Sequence, residues 1–264
     1  MRFMRFVYAL LCLMILFPIT SHADSHDQWE RLDQISDQAL QLVKQERYEG
    51  SKQLLEHFST EFMKISLQDH QYSMDELRVI TVTHNNAIEA INSTSLSLED
   101  KVGHVTQFRL VVDAMRSEHQ PLWTELEHSI MTTFNQMKQT VVEGDNQTYQ
   151  NQLNLFLSKY EIIHPSLKID ISPVTVQRMD SHISFLDSYR DESLKMSTRL
   201  QQMEQMEVDL QTIFDKMTED EADPSLIWVM ISTGSVIILT LSYVAWRKYK
   251  GDKKKRRPQQ EFEE

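Results

Sequence analysis

Along residues 24–223 the apolar side chains return every third or fourth position, the spacing of one face of an α-helix. Trp29, Leu32, Ile35, Ala39, Leu42 and Val43 form a first stripe, and Leu54, Leu55, Phe58, Phe62 and Ile65 a second. Leu77, Ile80, Thr81, His84, Ile88 and Ile91 form a third with two polar members, and Val102, Val105, Phe108, Val112 and Met115 a fourth. The same rhythm runs through 123–142, 149–163, 174–189 and 194–217, which predicts about eight helices. Only three glycines (Gly50, Gly103, Gly144) and three prolines (Pro121, Pro165, Pro173) occur in these 200 residues, too few turn formers for an all-β domain.

Local signals mark the expected ends. Ser73 with Glu76, and Ser97 with Asp100, are capping-box patterns. Gly50 and Gly144 stand at expected breaks, Pro121 suits a first helical turn, and Ser172-Pro173 reads as N-cap and first position. Residues 164–172, around Pro165, read as an irregular loop whose Leu167, Ile169 and Ile171 lie extended over the core. The expected fold is all-α: about eight antiparallel helices in a bundle, with an open superhelical array as the alternative. Its predicted core includes Trp29, Leu32, Leu54, Phe58, Ile80, Phe108, Trp123, Leu155, Phe156 and Leu186.

A weak internal echo divides this domain. Trp29-x-x-Leu32 returns as Trp123-x-x-Leu126, and Tyr48, Leu54 and Leu55 return as Tyr149, Leu155 and Phe156. Asp113-x-Met115 and Asp215-x-Met217 each precede a proline and a tryptophan. Two duplicated four-helix halves, 26–118 and 121–219, would explain the echo; chance likeness between amphipathic helices is the competing reading.

The two ends break the pattern. Arg2 and Arg5 precede an apolar run over 6–17, Pro18 interrupts it, and Ser21-His22-Ala23 offers small residues to a signal peptidase, so 1–23 reads as a cleaved signal peptide. An uncleaved anchor is the competing reading. Near the other end, 226–246 is uncharged, carries Trp228 and Trp246 near its limits, and is long enough to span about 30 Å of hydrocarbon. With Pro224-Ser225 leading in, 224–246 reads as one transmembrane helix. Eight Lys and Arg residues follow between Arg247 and Arg257, so 247–264 reads as a basic cytoplasmic tail by the positive-inside rule. Ser232-Thr233-Gly234-Ser235 lies mid-span; hydroxyls bonded back to their own helix compete there with a helix–helix contact.

Charge sharpens this layout. Residues 24–223 hold 17 basic and 35 acidic side chains, a formal −18, which disfavours nucleic acid and anionic membrane faces. The sole cysteine, Cys12, departs with the signal, so the mature chain has no disulfide, thiolate nucleophile or cysteine ligand.

The candidate chemistry is sparse. Glu125/His128 and Glu161/His164 match the Glu-x-x-His element of ferritin-like di-metal sites, but Trp123, Leu126 and Ile130 define the buried face and turn the first pair toward solvent. His84 lies on an apolar stripe and reads as a core histidine. Asp187/Asp191 fits a solvated acidic face, and Met196, Met203 and Met206 fit core filling better than a copper or partner surface. Asn92-Ser93-Thr94 and Asn146-Gln147-Thr148 match the glycosylation pattern of a eukaryotic secretory host. No phosphate loop, nucleophile elbow or zinc signature is present. The expectation is no catalytic residue, no cofactor and no metal.

The signal peptide, the opening Trp29-Glu-Arg-Leu32-Asp-Gln-Ile35 and the entry Pro224-Ser-Leu-Ile-Trp228 into a single membrane helix with a basic tail together resemble the sporulation protein family typified by YpjB in endospore-forming bacilli. The resemblance covers essentially the whole chain. It implies a role in spore formation at the mother-cell membrane and carries no catalytic motif. The expected function is therefore a single-pass cell-membrane protein whose helical domain lies outside the cytoplasm and engages a protein partner during sporulation. The runner-up is a sensor or ligand-binding subunit that signals through a separate membrane partner. An extracytoplasmic ligand-binding or hydrolytic protein comes third.

Overall fold

The computed structural model describes residues 23–68, 72–117, 120–190, 195–218 and 224–255. Among them are nine α-helices and one short 3-10 helix, and no strand. The chain divides into two compact units at Thr218. The first holds α1 (Ala23–Lys44), α2 (Tyr48–Gln68), α3 (Met74–Asn92), α4 (Leu98–Ala114), the 3-10 helix Leu122–Leu126, α5 (Glu127–Glu143), α6 (Asn146–Asp170), α7 (Pro173–Ser188) and α8 (Met196–Thr218). The second holds α9 (Pro224–Lys255). The expected signal peptide 1–23, except Ala23, and the part of the expected cytoplasmic tail beyond 255 lie outside the described residues.

Helix starts follow the expected chemistry. Glu76 N–H donates to Ser73 Oγ at 3.2 Å while Ser73 N–H donates to Glu76 Oε2 at 2.6 Å, closing a capping box on α3. Ser97 and Asp100 do the same for α4. Ser172 caps α7 through Thr175 N–H, and Pro173 takes its first turn.

Two cores form. Trp29, Leu32, Val43, Leu55, Phe58, Ile80, Val105 and Phe108 belong to the first. Trp123, Ile130, Phe134, Leu153, Phe156, Met179, Met203 and Phe214 belong to the second. Around the first, α1 packs on α2 and α4, and α3 packs on the same two helices. Around the second, α5 packs on α6 and α8, and α7 packs on those two. Helix α4 joins the cores: Val105, Phe108, Val111, Val112 and Met115 face the first, Leu110 and Ala114 the second. Residues 107–115 are buried without a break, as expected of a helix apolar on most sides.

Four expectations are corrected. Residues 164–172 are not a loop: α6 continues to Asp170 with Pro165 inside it. Proline removes the N–H that would bond the Glu161 carbonyl. Gln107 of α4 supplies the missing donor, Nε2 to Glu161 O at 3.0 Å. Leu155 is 43% exposed, because α6 turns Tyr149, Leu153, Phe156, Tyr160 and Ile163 inward and leaves Leu155 on the far side. Thr81 is exposed and Thr83 occupies the buried face of α3. Gly50 does not break a helix. The break lies at Glu46, which takes φ 58°, while Gly50 sits in α2, where a Cβ would lie 3.2 Å from Leu42 Cδ1. Of the remaining predicted core, Leu54 is half-buried and Trp29, Leu32, Phe58, Ile80, Phe108, Trp123, Phe156 and Leu186 are buried.

Candidate functional site

The residues singled out by sequence do not converge. Glu125, His128 and Glu161 are exposed. His164 is half-buried, its Nε2 3.0 Å from Asp180 Oδ1 of α7. Burial, then Lys168, holds its pKa below the usual imidazole value despite Asp180. Among the described residues no three His, Cys, Asp or Glu side chains are grouped to hold a metal ion. His84 is buried between Phe58 and Phe108, with Nε2 2.8 Å from the Leu55 carbonyl, which places the proton on Nε2 as donor. Asp187 pairs with Arg190, Nε to Oδ1 2.8 Å; Asp191 lies outside the described residues. Met203 and Met206 are buried and Met196 is exposed. The Asn92 amide donates to the Ile88 carbonyl, and Asn146 opens α6.

The dense polar chemistry lies instead along α4. Arg109 donates NH1 and NH2 to the two carboxylate oxygens of Asp33 at 2.7 and 3.2 Å, and Arg116 approaches the same carboxylate at 3.6 Å. Asp113 accepts Leu122 N–H at 2.6 Å, pinning the entry to the 3-10 helix. One residue later, Trp123 Nε1–H donates to Asp170 Oδ2 at 2.6 Å. Two acids on α4 and α6 thus hold the connection between the two cores from both sides. Burial pushes the Asp113 carboxyl up, against the Leu122 N–H bond and the Arg109 charge. Burial also pushes Asp170 to about 7; the Trp123 bond opposes this, and the Asp113 and Glu76 charges add to it.

A second cluster joins α7 to α8. Arg178 Nε donates to Asp209 Oδ2 at 2.7 Å, and His182 Nε2 lies 3.1 Å from the same oxygen. These three residues line an open groove of about 580 Å³ with Gln201, Glu204, Gln205 and Val208. The carboxylate orients the imidazole, and among the described residues the groove lining contains no Ser, Thr or Cys to serve as a nucleophile.

Sequence reading missed both clusters, for different reasons. Arg109 and Asp113 stand one turn apart within Phe108-Arg-Leu-Val-Val-Asp-Ala-Met115, and charges inside an apolar run signal buried partners. Asp209 lies 27 residues from His182, and no local pattern links them.

In the second unit, Trp228–Tyr249 is long and apolar enough to cross a membrane. Every residue from 228 to 249 except Gly234 is exposed. The hydroxyls of Ser232, Ser235 and Thr240 bond carbonyls of their own helix, Val229, Ile231 and Val236.

Residues 29–258 match the family described as "Sporulation protein YpjB (SpoYpjB)". The "Uncharacterized protein YpjB" of Bacillus subtilis (strain 168) is 33% identical over 253 residues, covering 95% of this chain and 96% of that protein. No solved structure matches. With alignment from the first buried tryptophan to beyond the apolar terminal helix, the chain belongs to the sporulation protein YpjB family.

Proposed function

We propose that this protein is a membrane-anchored, extracytoplasmic helical interaction protein of sporulation with no catalytic role. The observation that carries the anchoring is α9. Its apolar side chains point outward on all sides, and 22 residues at roughly 1.5 Å each reach about 33 Å, enough for a bilayer core of about 30 Å. Such a surface is stable only when covered, and a helix apolar all round matches lipid. The basic run from Arg247 to Arg257 sets the direction, with residues 24–223 outside the cytoplasm and 247–264 inside. The acidic domain offers surface: its polar clusters tie helices together, and among the described residues no nucleophile, base and orienting group stand together in them. Its eight helices form two antiparallel four-helix bundles, 26–118 and 121–219, of duplicated origin, supported by the same cycle of neighbours around each core.

A chromosomal copy truncated before Pro224 tests the reading. The expected result is release of the domain from the membrane fraction and spore yield reduced to that of a deletion strain. A truncated copy that stays on membranes refutes the anchor. One that is released yet supports normal sporulation refutes the need for tethering. Protease treatment of intact protoplasts checks orientation: digestion of the tail with protection of the helical domain would reverse the topology.

A further inference from the structure

The apolar span ends at Tyr249, yet α9 runs on as one helix to Lys255. Arg247, Lys248, Lys250, Lys253, Lys254 and Lys255 stand on this end, against one acid, Asp252. Cations suit the place, because the open carbonyls of a last helical turn carry partial negative charge. Arg247 and Lys248 are exposed, and neither forms an ion pair among the described residues. Arg247 has no carboxylate one turn away: Tyr243, Val244, Lys250 and Gly251 occupy those positions.

The helix fixes where these charges lie. From Tyr249 to Lys255 its axis advances about 9 Å at roughly 1.5 Å per residue. That is close to the Debye length of about 8 Å at physiological ionic strength, so all six cations act within reach of the headgroup plane. The same residues in extended chain could carry Lys255 about 20 Å away, where salt screens the charge. The other end of the span has the opposite sign: Glu219, Asp220, Glu221 and Asp223 lead into it. An excess of basic residues is enough to set direction. A helix that holds them at the surface, with acids leading into the far end, does more: it distinguishes the lipids of one leaflet.

We propose that the basic end of α9 gathers anionic phospholipids in the leaflet it faces, through the negative charge of their headgroups. This role depends on α9 crossing the membrane, as proposed above. Long Lys and Arg stems follow apolar surface while their charged heads reach the phosphates, and each cation near the surface adds its own attraction.

The test reconstitutes the full-length chain in phosphatidylcholine vesicles that carry a trace of spin-labelled phosphatidylglycerol or spin-labelled phosphatidylcholine. Electron spin resonance reads the share of each label immobilised against the protein. Phosphatidylglycerol should associate about threefold more strongly at low salt, and the preference should vanish at about 1 M sodium chloride, where the Debye length is about 3 Å. Changing Lys253, Lys254 and Lys255 together to Gln should remove about half of the preference, and changing the same three to Arg should keep it. Alkaline extraction of the vesicles reads insertion separately. A chain stripped from them sinks the anchor and this role with it. A chain that resists extraction yet immobilises both lipids equally sinks the lipid role alone. An unchanged preference in the Gln variant, or an equal loss in the Arg variant, overturns the proposal as well. Inorganic phosphate that displaces labelled phosphatidylglycerol better than sodium chloride of equal ionic strength would show a phosphate site. Displacement by a stoichiometric single-stranded RNA would show a polynucleotide site. Either result overturns the assignment to lipid.

Discussion

The two four-helix sets of the first unit share a skeleton and differ in filling. In each, the first helix packs on the second and fourth, and the third completes the cycle. In each, the turn after the first helix uses a left-handed residue, Glu46 at φ 58° and Gly144 at φ 74°. In each, a cation from the fourth helix lies over a tyrosine near the start of the second: Lys101 over Tyr48 at 4.2 Å and Arg199 over Tyr149 at 4.6 Å. The fillings diverge. The first core is a chain of rings, with Phe58 4.8 Å from Phe108, His84 5.3 Å from Phe108 and Trp29 6.1 Å from Phe62. The second buries Met137, Met179, Met203 and Met206 among its aromatics. Rings pack in a few fixed arrangements, whereas methionine adapts to irregular space. One skeleton thus carries a core of rings and aliphatic side chains in the first set and a larger core in the second, where rings such as Trp123 with Phe214 and Phe134 with Phe156 are mixed with four methionines.

The sharpest test of that contrast is deletion of one ring from each core. Phe108→Ala should cost about 4 kcal/mol and Phe156→Ala about 3 kcal/mol, because the four methionines of the second core give it more freedom to relax around the space left. Urea unfolding with Trp228 and Trp246 replaced by Phe isolates Trp29 as reporter of the first core and Trp123 of the second. Coincident transitions are expected, since α4 contributes to both cores. Separated transitions, or a larger loss at Phe156, would break the comparison.

Asp170 gives the next largest effect, and its sign is fixed by direction. The carboxyl is raised from the ordinary value near 4 to about 7 in the folded chain. Between those values the folded state holds more protons than the unfolded state, so stability falls as pH rises toward about 7. At about 1.4 kcal/mol per pH unit, the decline should be on the order of 4 kcal/mol. Asp170→Asn keeps an oxygen for the Trp123 N–H and removes the charge that faces Asp113 and Glu76. It should flatten the decline and leave the variant more stable than the parent at about pH 8. Melting curves across that range check this, and an unchanged slope in the variant would assign the pH dependence to other groups.

Gln107 tests the seam where the halves meet. Its donation to Glu161 O replaces the N–H that Pro165 lacks, so Gln107→Ala should cost about 1–3 kcal/mol by leaving that carbonyl unsatisfied. Adding Pro165→Ala restores a backbone donor within α6 and should recover most of the loss. A double-mutant cycle measures the coupling, and additive costs would show that the two residues do not act on one carbonyl.

The fold was legible where local spacing carries it. Trp29, Phe58, Phe108, Trp123 and Phe156 are buried as their stripes require, and Ser73, Ser97 and Ser172 cap the helices they precede. Two of the failures share a physical form: a group elsewhere in the fold overrode a local rule. Pro165 reads as a helix breaker until Gln107, 54 residues from Glu161, supplies the donor. Gly50 reads as a break until Leu42 fills the space a Cβ would need. Leu155 reads as core because it sits beside Phe156, and a one-residue error around a helix turns a side chain by about 100°. The polar clusters were less legible, since Asp33 with Arg109 and His182 with Asp209 meet only through tertiary packing. The Arg199–Tyr149 stack was hinted at only by the Tyr48–Tyr149 echo.

The smallest predicted difference between the halves concerns the caps of their third helices. Ser73 and Glu76 exchange two hydrogen bonds at 3.2 and 2.6 Å, so two of the open donors at the start of α3 are satisfied reciprocally. Ser172 offers its hydroxyl to Thr175 N–H at 3.4 Å, and Pro173 already fixes the first-turn φ of α7. Ser73→Ala should therefore cost about 1 kcal/mol and Ser172→Ala about 0.5 kcal/mol. The measurement is the urea midpoint at constant slope. Because Pro173 keeps α7 entering at the same angle after its serine is lost, the slope should not change. An equal cost at both serines would show that the reciprocal bond from Glu76 adds nothing to α3, and that the two halves are capped alike after all.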